Sequence, residues 1–327
     1  MRHAWTWIKA TLLAATVALL PQAPALAADF PVRPIRIIVP FPPGGITDVI
    51  ARQVAKGLGD RLGQSVVIDN KPSAGHVLSL QLAAQAQPDG YTILLGSNTG
   101  FTVTPHVYQN LGVDVTSFPI IAPINTAPTV LLARPDFLAN NMEELVKLAK
   151  ARPGVLNYGS FGVGTSAHLG MEIFKRDTGI EITHIPYKGD APAILALLSK
   201  EVDVAFVTLF SSQKRIIAGE FKALGVLQAA RITNFPNTIQ TTVEAGSKNA
   251  DMPVWIAFFA PPKTPPDIVK KLEEATRAVT GSTEFRDFLR ERGSAPMEMD
   301  NGQLAQFIKA QSSRIAPIVK AIGLSPE

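Results

Sequence analysis

Two glycine-rich corners hold the residues best suited to bind something. "VPFPPGGITDVIARQVA" (Val39–Ala55) carries an apolar strand into two prolines and two glycines, and a helix begins at once. "GSFGVGTSAH" (Gly159–His168) does the same at the end of the apolar run "VLNYGS". A helix start leaves backbone N–H groups without intrahelical partners at the positive end of the dipole, so it suits an anion. Taken singly, each corner reads equally as a tight strand-to-helix turn with no ligand. Two of them at corresponding places in two series favour a ligand that touches both. "LLGSNTGFT" (Leu94–Thr102) adds a third polar corner at a strand's C-terminal end, where open α/β sheets bind ligands.

The residue types narrow the anion. Gly159–Ser166 has the G-x-x-x-x-G-x-S spacing of a nucleotide phosphate loop, but Thr165 stands where that loop needs lysine. With no cation there, backbone N–H groups and the hydroxyls of Ser160, Thr165 and Ser166 suit a carboxylate better than a triphosphate. His168, in the first turn of the second helix, reads as a structural or ligand-side hydrogen bonder rather than a catalyst. Asp48 complements the dipole of the first helix. Lys188 in "YKGDAP" reads as a turn residue, with an anion contact as the alternative.

Enzyme signatures are missing. There is no G-x-S-x-G elbow and no H-E-x-x-H helix. His76, His106, His168 and His184 are spread without metal-ligand spacing, and zero cysteines exclude a thiol nucleophile or thiolate site. No catalytic residue, metal or cofactor is expected. The charge balance argues against nucleic acid too, with 31 Lys and Arg against 27 Asp and Glu and no basic run.

The N-terminus predicts export. Arg2, His3 and Lys9 flank a start that runs into "ATLLAATVALL", and Ala25-Leu26-Ala27 is a small-x-small cleavage site. Residues 1–27 therefore read as a signal peptide cut after about Ala27. The apolar run is shorter than the roughly 18 residues of a spanning helix. The remaining 300 of the 327 residues are long enough for a large core without disulfides.

These corners need a scaffold, and the apolar pattern supplies one. Strands are predicted at Ile35–Pro40, Ser65–Asp69, Thr92–Gly96, Thr129–Arg134, "VLNYGS", "EITHIPY", Val202–Thr208 and "VWIAFFAPP". Helices are predicted from about Gly45 to Leu58, Leu78–Gln87, after Asn140 or Asn141 as cap, Thr165–Gly179 and in "APAILALLSK". The tail reads as three more, Pro266–Thr280, Glu284–Arg292 and Asn301–Ile322, the last kinked or ended by Pro317. Alternation of this kind indicates an α/β protein with largely parallel sheets, in two lobes around a cleft.

Six stretches then carry a resemblance: "FPVRPIRIIVPFPPGGITDVIAR", "LGQSVVIDNKPSAG", "AQPDGYTILLGS", "RPGVLNYGSFGVGTSAHLGMEIFK", "HIPYKGDAPAILALL" and "WIAFFAPPKTPPDIVKKL". In order and over nearly the whole exported chain, they resemble the extracytoplasmic solute-binding proteins of the tripartite tricarboxylate transporter family, the Bug receptors. The resemblance implies a type II periplasmic-binding-protein fold, a Venus flytrap with a ligand cleft between lobes. Lobe one would comprise residues 28–128 plus 250–327, and lobe two residues 129–249.

It also implies a ligand carboxylate held between the two glycine-rich loops by backbone N–H groups and bridging waters. Carried over by position, the site is Pro42, Pro43, Gly44, Gly45 and Asp48 facing Ser160, Gly164, Thr165 and His168, with Ser97 and Asn98 at the third corner. The chain departs from the family pattern at His76, which replaces a glycine near the lobe surface, and at Val207, where an acidic residue often lies. The implied function is a periplasmic, monomeric receptor that captures a small mono- or dicarboxylate and delivers it to membrane subunits of a tripartite tricarboxylate-type transporter. A ligand sensor feeding a signalling partner, or a hydrolase on the same scaffold, are the alternatives.

Overall fold

The computed structural model describes residues 30–324 except 109, 229–230, 233–238 and 248–249. The predicted signal segment lies outside the described residues.

The first series builds β1 (Ile35–Val39), α1 (Ile46–Leu62), β2 (Val66–Asn70), α2 (Val77–Ala84) and β3 (Thr92–Ser97). β1 is an interior strand with Ile35, Ile37, Ile38 and Val39 all buried, so both its faces are covered. It pairs in parallel with β2 and β3. α1 lays Ile50, Ala51, Val54, Ala55 and Leu58 on the sheet and stops at left-handed Gly63, whose N–H bonds the Gly59 carbonyl. Each fully buried Ile, Val or Leu of this kind contributes about 1.5–3 kcal/mol relative to exposure.

After β3 the chain makes a π-helical turn, Thr99–Val103, that runs into α3 (Thr104–Val107), and then β4 (Ile120–Ala127). One residue, Pro128, separates β4 from β5 (Thr129–Ala133), and β5 belongs to a different sheet. The second series follows: α4 (Met142–Ala151), β6 (Asn157–Ser160), α5 (Ser166–Thr178), β7 (Thr183–Pro186), α6 (Asp190–Leu198), β8 (Val204–Thr208), α7 (Leu209–Ile217) and β9 (Lys222–Val226). Asn141, not Asn140, caps α4, its side chain accepting from the Glu144 N–H.

β10 (Val254–Phe259) returns to the first sheet, followed by α8 (Pro266–Thr280), α9 (Thr283–Arg290), β11 (Ala295–Pro296) and α10 (Asn301–Ala321). The sheet orders are β11-β4-β10-β3-β1-β2 and β7-β6-β8-β5-β9. Both sheets are mixed rather than largely parallel. The crossing strand β5 runs antiparallel to β8 and β9, and the returning strand β10 runs antiparallel to β3 and β4.

α10 fastens the two bodies. Its first half places Leu304, Phe307 and Ile308 with Trp255 and Phe259 of the first body. Its second half places Ile315, Ile318 and Val319 with Phe174 and Phe206 of the second. The helix runs through Pro317 without ending. A proline there forfeits one backbone bond close to the C-terminus, and the buried residues on either side of it hold the last turn in place.

Candidate functional site

A cavity of about 490 Å³ lies between the two lobes. The first lobe lines it with Pro40–Pro42, Pro72–His76 and the segment around Thr99–Tyr108. The second lobe lines it with Phe161–Thr165 and Pro186–Gly189, and Leu324 after α10 closes one side.

The first corner is held from behind by Asp48, which is only 2% exposed. Its Oδ2 accepts from the Gly44 N–H at 2.9 Å and from Arg52 Nε at 2.9 Å. Its Oδ1 accepts from Arg52 Nη2 and Asn70 Nδ2, both at 2.9 Å. Asn70 Nδ2 also donates to the Phe41 carbonyl. Burial alone would raise the Asp48 pKa, but the hydrogen bonds from Arg52, Gly44 and Asn70 outweigh it and hold the carboxyl below its usual value. Asp48 is therefore a fastener of the Pro42–Gly45 loop, where Gly44 sits at φ +84°. Gly45 caps α1 with backbone only, so no side chain satisfies its first N–H groups.

The second corner is built in the same spirit from different residues. Gly162 and Gly164 take φ of +143° and +72°. The Gly164 N–H donates to His168 Nδ1 at 3.1 Å, which fixes the His168 proton on Nε2. His168 stacks on His184 at 4.1 Å and 11°, and His184 stacks on Tyr158. Burial depresses both imidazoles, His168 to about 4 and His184 to about 3, so the stack is neutral near pH 7. Ser160 Oγ lies 2.7 Å from His184 Nε2.

The hydroxyls expected to meet a ligand are occupied. Thr165 Oγ1 donates to the Gly162 carbonyl at 2.6 Å, so it does not cap α5 through its side chain. Ser166 Oγ accepts from Asn98 Nδ2 at 2.7 Å. The start of α5 thus has no side-chain cap, and its loop forms part of the cavity wall. An uncapped helix start on a cavity attracts an anion through its backbone.

Of the residues read from the sequence, Pro42, Gly164 and Thr165 line the cavity. Gly44, Asp48, Asn98, Ser160 and His168 stand behind it in the networks above, Ser97 bonds His76, and Pro43 and Gly45 belong to the Pro42–Gly45 loop without lining the cavity. His76 is not near the lobe surface: it is 6% exposed and lines the cavity. Val207 is buried in the core of the second lobe. Sequence reasoning missed the aromatic wall, because Phe41, Tyr108, Phe161 and Tyr187 come from four separate loops. Lys188, read as a turn residue, is exposed at the rim and lines the cavity too.

Comparison with known proteins agrees with this architecture. The profile of the tripartite tricarboxylate transporter family receptor matches residues 50–324. A UPF0065 protein of Bordetella pertussis is 62% identical over 96% of this chain and 97% of its own. Among solved structures, the periplasmic binding protein BugD is 32% identical with a TM-score of 0.83, covering 91% of this chain and all of its own. A protein of R. palustris, solved with adipate, is 32% identical with a TM-score of 0.84 over the same shares. Two mixed sheets, a cavity between them and a match over most of the length have one reading: the chain belongs to the tripartite tricarboxylate transporter receptor family of periplasmic solute-binding proteins, a family of receptors and not of enzymes.

Proposed function

We propose that the protein captures a small organic acid in the periplasm and delivers it to membrane subunits of a tripartite tricarboxylate-type transporter. The observation that carries the reading is the uncapped start of α5 on the wall of the interlobe cavity. The ligand carboxylate lies between that start and the Pro42–Gly45 loop, on backbone N–H groups. We take residues 28–128 with 250–327 as one lobe and 129–249 as the other, with the end of α10 reaching across to the second, so ligand contacts on both sides favour their closed arrangement. Adipate in the R. palustris relative supports an acid as the class of ligand.

The test is a melting screen on protein unfolded and refolded to strip carried ligand. The panel holds dicarboxylates, tricarboxylates, aromatic acids, amino acids, inorganic phosphate and nucleotides. An acid at a hundredfold excess over its Kd adds about 2.7 kcal/mol, a rise of several degrees. A shift with phosphate or nucleotides alone would overturn the reading.

A further inference from the structure

Gly75 and His76 are consecutive left-handed residues, at φ +58° and +61°. Gly75 takes this conformation freely, and a Cβ there would stand 2.5 Å from the Tyr108 ring. His76 has no such freedom, and positive φ is uncommon for a residue with a Cβ. The result of the double turn is a buried imidazole on the cavity wall. Its Nδ1 lies 3.2 Å from Ser97 Oγ, and its ring meets Phe41 edge-on at 4.6 Å. Its Nε2 has no hydrogen-bond partner among the described residues. His76 lines the cavity, so Nε2 is available to a ligand there, and strained backbone is concentrated where a ligand is held.

The rest of the wall fits one charge and a ring. Phe41, Tyr108, Phe161 and Tyr187 border the cavity, and Lys188 is its one formally charged side chain among the described residues. A first carboxylate has the helix start. A second carboxylate held among the rings would be desolvated away from Lys188, which is exposed at the rim.

We propose that the cavity takes a ring-sized apolar monocarboxylate bearing a neutral hydrogen-bonding group, and that His76 Nε2 bonds that group and sets the specificity. The proposal rests on the carboxylate reading above and narrows it. Burial keeps His76 uncharged near neutral pH, since it pushes the pKa down to about 3. An uncharged imidazole pairs with a hydroxyl or carbonyl and gives no ionic bonus to an anion.

The experiment is calorimetry on stripped protein with benzoate, 3-hydroxybenzoate, 4-hydroxybenzoate, adipate and malate. Wild type is compared with His76→Gly and His76→Asn, both of which tolerate left-handed φ. The better hydroxybenzoate should bind at least tenfold tighter than benzoate and adipate. That preference over benzoate should fall to within about twofold in both variants, while their cooperative melts show that they fold. Adipate or malate binding tighter than every aromatic acid would overturn the proposal, as would an unchanged hydroxybenzoate preference in the variants. In those cases the carboxylate reading survives, because an acid still binds. Binding by no acid here or in the melting screen would remove both.

Discussion

Asn98 Nδ2 donates to Ser166 Oγ at 2.7 Å, joining the third corner of the first lobe to the first turn of the helix that starts on the cavity wall of the second. Both residues are buried, at 2% and 0% exposure. This bond links the two sheets' ligand-facing corners, so on the proposed reading it favours lobe closure. A net hydrogen bond is worth about 0.5–1.5 kcal/mol. Asn98→Ala should therefore weaken acid binding by roughly two- to tenfold, with little change in the melt of the unliganded protein. Calorimetry beside a melting curve reads both, and equal affinity in the variant would show that the contact does not bias closure.

Thr165→Asp should abolish binding and leave the fold intact. An aspartate is a preferred cap and is favoured by the dipole, so it would satisfy the N–H groups of α5 and repel an incoming carboxylate. Native circular dichroism with undiminished affinity would place the anion elsewhere.

The Asp48 network predicts coupling between loop and fold. Asp48→Asn keeps the shape but removes the charge that Arg52 grips at both oxygens. Hydrogen bonds to charged groups are worth about 1.5–3 kcal/mol, and roughly 2–4 °C of melting temperature accompanies each kcal/mol. A lowered melt with weakened binding is expected; an unchanged melt would mean that the loop is held by other contacts.

Acid should destabilise the protein through its histidines. His76, His168 and His184 have folded pKa values of about 3, 4 and 3, below the unfolded value near 6.5. Below pH 6.5 the unfolded chain takes up protons that the folded chain refuses, so stability falls. Each histidine contributes about 1.4 kcal/mol per pH unit until the pH reaches its folded pKa. The melting temperature should be flat above pH 7 and fall steeply from 6.5 toward 4. Asp48, held below its usual value, adds a further loss only at lower pH. In His184→Gln the slope should be shallower by about a third, and a slope identical to wild type would contradict the assignment.

The sequence was legible where one residue type dictates one backbone. The run "IRIIV" reads as a buried strand, and the PPGG and GVG corners read as helix starts, because proline fixes its φ and glycine permits the φ that other residues avoid. β4 was not legible, since Pro123 and Asn125 interrupt its apolar run. Pro123 is tolerated at a register shift against β10, and Asn125 donates to Ser294 Oγ, a residue 169 positions away. The site shows the same limit. Glycine spacing locates the corners, but the partners of Ser160 and Ser97 depend on sheet register that no local pattern records. His184 reaches Ser160 because β7 pairs with β6, and His76 reaches Ser97 from a loop in another part of the chain.

On the proposed function, a ligand carboxylate sits between the start of α5 and the Pro42–Gly45 loop. A crystal structure of stripped protein soaked with the tightest-binding acid tests it most directly. Carboxylate oxygens are expected within about 3 Å of the backbone N–H groups of Ser166 and Ala167, with the body of the acid against Phe41 and His76. An acid bound outside the interlobe cavity, or with its carboxylate turned away from α5 toward Lys188 and solvent, would contradict it.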